Sequence, residues 1–126
     1  MRDNENAPVI RIETRHFHIT FETDTMELLG KPRHMEFLWD NEENILSAVI
    51  VEKHTRFSTR LPTPRKKDAL HPTKVHEPCI VKELVEKLGW ESGRCYEITG
   101  TYDPDKKTAD FPLAQAEDAG GWENAL

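Results

Sequence analysis

The sequence predicts an α+β domain rich in β-structure: a compact antiparallel sheet or barrel made from two repeated strand–helix–hairpin units with two short helices. Three observations predict it. The 126 residues suffice for one hydrophobic core, since a chain of this size buries roughly two-thirds of its unfolded surface. Apolar residues fall in short alternating blocks between turn-forming residues, and one longer segment has helical spacing. A helix ending in Leu-Gly, a strand, an acidic turn and a second strand occur twice in that order, at residues 28–51 and 87–113. Half-units that cannot close a core alone would share one.

Residues 1–8 are polar, end in Pro8 and are expected to form a flexible arm. The domain proper is expected over 9–113, with half-units 9–52 and 53–113. Val9, Ile10, Arg11 and Ile12 read as a short strand, and residues 17–21 as a second with Phe17, Ile19 and Phe21 on one face. Thr23 or Asp24 is expected to cap a short helix, with Glu27 completing a capping box and Gly30 ending it. Residues 33–40 alternate, which puts Met35, Phe37 and Trp39 on one face. Asp40 to Asn44 is a turn. Ile45–Val51 is nearly continuously apolar and is expected to be a central strand covered on both faces.

Residues 56–61 are a further strand candidate, and 62–72, with three prolines at its ends and interior, an exposed loop. The clearest helix follows. Pro78 suits a first helical position, Ile80, Val81, Leu84, Val85 and Leu88 form one stripe, and Gly89 stops it. Residues 95–102 read as one strand, 103–107 as a turn and 108–113 as the return strand. The tail 114–126 is expected to be loose. The expected core is Phe17, Ile19, Phe21, Leu29, Phe37, Ile45, Val49, Leu84, Leu88, Ile98 and Phe111.

The formal charge of −6 conceals segregation. Residues 21–52 and 75–126 each carry a net −6. Between them, residues 53–74 hold seven cations (Lys53, Arg56, Arg60, Arg65, Lys66, Lys67 and Lys74) against Asp68, a net +6. Lys53, Arg56, Arg60, Arg65, Lys66 and Lys67 are the candidate nucleic-acid contacts, because clustered cations bind phosphates. An acidic protein partner, or simple offset of the chain's own acidic faces, answers to the same feature. Trp122, in the tail, suits either an exposed docking residue or a cap on the domain.

No apolar run reaches the ~20 residues of a bilayer span, and the charged N-terminus lacks the apolar stretch of a secretory signal. The expected location is the cytoplasm, with Cys79 and Cys95 as reduced thiols. No metal or other cofactor is expected. His16, His18 and His34 would converge if their strands paired, but no carboxylate or cysteine stands at confirming spacing. A thiol pair, Cys79 with His76, sits at a helix start. Phosphate-loop, GxSxG and HExxH patterns are absent, so the chain is read as a binding protein rather than an enzyme.

The segment from Phe17 through Met26-Glu27-Leu28-Leu29-Gly30, with the 35–51 hairpin after it, resembles the swapped-hairpin domain of AbrB-like transition-state regulators and antitoxins. The resemblance covers about residues 9–52. It implies a DNA-binding regulator or antitoxin of barrel type, built from two chains as a homodimer or, if the second half is a degenerate copy, closed within a monomer. Phe17, His18 and Glu22 stand where that family has glycine, arginine and proline. Those departures, with the acidic charge of 21–52, favour the alternative of a protein-interaction module without a nucleic-acid role.

Overall fold

A computed structural model describes residues 7–61 and 72–121. In chain order the elements are β1 (Val9–Glu13), β2 (His18–Phe21), α1 (Thr23–Leu28), β3 (His34–Asp40), β4 (Ile45–Val51), β5 (Thr59–Arg60), β6 (Thr73–His76), α2 (Pro78–Leu88), β7 (Arg94–Thr99), β8 (Thr101–Asp103), β9 (Thr108–Pro112) and β10 (Glu117–Gly121). They form two antiparallel five-stranded sheets. The first runs β10-β7-β1-β2-β6 and the second β5-β3-β4-β9-β8. The β-rich class stands. The sheets do not close into a barrel, because each keeps two edge strands.

One core lies between the sheets and draws on both halves of the chain. The first sheet contributes Ile10, Ile12, Ile19, Phe21, Val75 and Ile98; the second contributes Met35, Leu46, Ala48, Ala109 and Phe111. Met26 and Leu29 enter from α1 and its end, and Val81 and Leu84 from α2. In α2 the expected stripe is the packed face, and Gly89 takes the left-handed conformation (φ 67°) that ends it.

The expected core needs one correction. Ile45 and Val49 are half-buried on the outer face of β4, while Leu46 and Ala48 point inward. Strand faces alternate, and β4 is set by its register with β3, where Trp39 faces Leu46 and Phe37 faces Ala48. β4 is central, but its second face is only partly covered. Met35, Phe37 and Trp39 share the inner face as expected.

Three hairpins use one turn. In each, the last strand residue is acidic and its carboxylate accepts amides two and three residues on. Asp40 Oδ1 accepts from Glu42 and Glu43 (3.0 and 3.1 Å). Asp103 Oδ1 accepts from Asp105 and Lys106 (3.0 and 3.3 Å). Glu13 accepts from Arg15 and His16 (2.6 and 2.9 Å). The fourth residue after the acid has positive φ each time: Asn44 60°, Lys107 52° and Phe17 61°. This turn is the physical content of the repeated acidic turns in the sequence. Phe17 therefore belongs to a turn, and β2 begins at His18.

The second unit of the larger repeat departs from the first at its first strand. Residues 95–102 are not one strand. The chain leaves the first sheet after Thr99 and enters the second at Thr101. Gly100 makes the crossing: its amide donates to the Pro8 carbonyl (2.8 Å). A Cβ there would overlap the Asp110 carbonyl oxygen and stand 2.7 Å from the Phe111 ring. The tail also differs from expectation. Glu117–Gly121 pairs with β7 as an edge strand, secured by Arg94 on Asp118 (2.8 Å). At α1 the N-cap is Glu22, without a side-chain cap bond, so the expected capping box is not used. Thr25 instead bonds Val9 in both directions (3.0 and 3.1 Å), tying α1 to β1.

Candidate nucleic-acid interface

Lys53, Arg56 and Arg60 of the basic stretch lie on β5 and the loop that follows β4, beside the start of β3. β5 is only two residues long, shorter than the strand expected over 56–61, and pairs with the start of β3: His34 opposes Arg60 and Met35 opposes Thr59. Opposed residues share a face, so His34 and Arg60 stand on the outer face of the second sheet. The Leu61 amide donates to the Arg33 carbonyl (2.7 Å) and anchors the far side.

Residues 52–58 fold back over this face and are held by their own hydroxyls. Thr55 Oγ1 donates to Glu36 of β3 (2.7 Å), and the Thr55 amide donates to Ser58 Oγ (2.8 Å). The Phe57 amide donates to Thr55 Oγ1 (3.3 Å), and the Ser58 amide to the Thr55 carbonyl (3.3 Å). Hydroxyl side chains that bond nearby backbone fix such turns. The His54 ring lies 5.7 Å from that of His34.

The outcome is an exposed basic edge with an aromatic tip. Lys53, Arg56 and Arg60 are all exposed. Phe57 is 77% exposed, and the Arg56 guanidinium lies 6.0 Å from its ring centre. Among the described residues, no carboxylate stands within ion-pair distance of these three cations. The nearby acids are engaged: Glu36 by Thr55, and Glu52 by Lys107 (3.0 Å). Arg65, Lys66 and Lys67 lie outside the described residues, as does Trp122. Lys74 is on β6 of the other sheet, paired with Thr20. Sequence reasoning missed His34 and His54 as members of this edge, and the only signal for them was their place beside it.

The histidines divide differently from the expectation. β2 and β3 belong to different sheets, so His34 does not join His16 and His18. His18 neighbours His16 and His76 instead (6.2 and 5.6 Å between ring centres). Among the described residues, no group of three His, Cys, Asp or Glu side chains has metal-binding geometry. Cys79 is exposed at the start of α2; Cys95 is buried, and burial pushes its thiol pKa up. No described helix is long and apolar enough to cross a membrane.

Compared with known proteins, the chain matches no family model, no curated protein and no solved structure.

Proposed function

We propose that this chain is a binding module for nucleic acid, a DNA-binding regulator or antitoxin of the AbrB-like kind, acting in the cytoplasm without catalysis or a cofactor. The observation that carries the reading is the edge of Lys53, Arg56 and Arg60, exposed and, among the described residues, without ion-paired carboxylates. Surface cations without such partners are available to displace the counterions of a phosphate backbone. In sequence, Arg65, Lys66 and Lys67 continue the same basic stretch. A monomer would present this edge once, a homodimer twice.

Electrophoretic shifts over a salt series test the proposal, with genomic fragments that include the protein's own promoter. Binding at low salt should weaken steeply as salt rises. The double substitution of Arg56 and Arg60 by alanine should reduce the salt slope by about 2, roughly 1 for each phosphate no longer neutralised. Replacing Arg65, Lys66 and Lys67 by alanine should reduce it further. No shift at any salt concentration would sink the proposal.

The second reading, a protein-interaction module, draws on a different observation. Leu38 is 55% exposed on the outer face of the second sheet, with half-buried Ile45 and Val49 on the same face. An apolar patch rimmed by polar residues suits a protein partner.

A further inference from the structure

We infer that the edge prefers unpaired over paired nucleic acid, with Phe57 as the platform on which an exposed base stacks. The inference rests on the nucleic-acid reading above and adds the class of strand. Its basis is the position of Phe57. Phe57 is 77% exposed, at the tip of a loop whose backbone is fixed through Thr55, Ser58 and Glu36. A ring held out by a fixed loop meets its ligand with little ordering cost.

Phosphate binding alone needs cations and gives no use for this ring. In a duplex the base faces are covered by their neighbours, so a protruding phenyl reaches only sugar and phosphate. In an unpaired strand the faces are open, and an aromatic side chain beside cations can stack on one while the cations follow the backbone. Arg56 stands beside the ring, and Lys53 and Arg60 lie on either side of it in the chain. An acidic peptide would answer the cations but offers no base to stack on.

Fluorescence anisotropy at low salt separates the possibilities, with labelled oligothymidylate, the same strand annealed to its complement, and unlabelled polyglutamate as competitor. The single strand should bind about tenfold tighter than the duplex. Phe57→Ala should lose about that factor on the single strand and leave duplex binding unchanged, and Phe57→Trp should restore it. Arg56→Ala should weaken both. Equal single-strand and duplex affinity, or Phe57→Ala without effect on oligothymidylate, overturns the inference and leaves the phosphate reading standing. Polyglutamate that competes as well as oligothymidylate overturns both in favour of an acidic protein partner. Failure of both nucleic acids to bind removes the proposed function and this inference with it.

Discussion

The turn at Glu13–Phe17 and the loop at Lys53–Ser58 are built from similar parts and present them in opposite ways. Each is held by side chains that bond nearby amides, and each carries a phenylalanine beside a cation. In the turn, Glu13 is almost wholly buried while accepting the Arg15 and His16 amides. The Phe17 ring packs against the core with Lys82 Nζ 5.2 Å from its centre, and the Phe17 carbonyl accepts the Glu77 amide (2.8 Å). In the loop, the holding groups are half-buried and Phe57 stands in solvent. The first arrangement uses its aromatic ring for stability. The second leaves its ring outside the core, as the proposed stacking on a base requires.

Substitutions in the turn should therefore cost stability, and those in the loop should not. The largest effect is expected for Glu13→Ala. It leaves the Arg15 and His16 amides without their acceptor in a turn whose last residue already has positive φ. Loss of the buried acceptor should cost about 1–3 kcal/mol in urea unfolding. A change below about 0.5 kcal/mol, the usual scatter of surface substitutions, would show that the turn holds without it.

Next come the two phenylalanines, compared directly. Phe17→Ala should destabilise by about 1 kcal/mol or more, since it uncovers packed apolar surface and leaves another L residue at positive φ. Phe57→Ala should stay within about 0.5 kcal/mol of the parent. Equal losses in the two variants would mean that Phe57 packs in solution and is no free platform.

What is legible in the sequence follows the strength of each local signal. The α2 stripe between Pro78 and Gly89 reads correctly because the proline at the first position, the period and the stop all agree. The β3–β4 hairpin reads correctly because Asp40 to Asn44 is unbroken turn chemistry. Phe17 reads as a strand residue because a bulky side chain is a poor candidate for positive φ. Glu13, Glu77 and the packing under Lys82 hold it in the turn. The passage at Gly100 is hidden by strand-forming residues on both sides, Ile98 and Thr99 before it and Thr101 and Tyr102 after, although a glycine within a strand pattern is itself a sign of a bend or a close approach. Glu117–Gly121 has the composition of a loop; pairing with β7 overrides that. At the basic edge, the cations are legible as a charge cluster. Their division between the two sheets, and the projection of Phe57, depend on strand order that no local pattern encodes.

The smallest expected effect is a pH dependence located in the turn region. Burial, the largest cause, lowers the His18 pKa from 6.5; nearby Glu13 opposes this, while His76, Lys74 and His16 add to it. Glu13 Oε1 lies 3.9 Å from His18 Nδ1. Above pH 6.5 His18 is neutral in both the folded and the unfolded chain and contributes no difference. As pH falls through that value the unfolded chain takes up the proton first, so folding stability drops, and it continues to drop until pH passes the lower folded pKa. Thermal unfolding from pH 7.5 down to pH 5.5 (a window set by the ordinary histidine pKa of about 6.5) should therefore show a fall that is shallower in His18→Gln. Added salt should lessen the part due to His76, Lys74 and His16, whose charges are screened, and leave the part due to burial. Coincident profiles for parent and variant would show that His18 carries its proton equally well in both states.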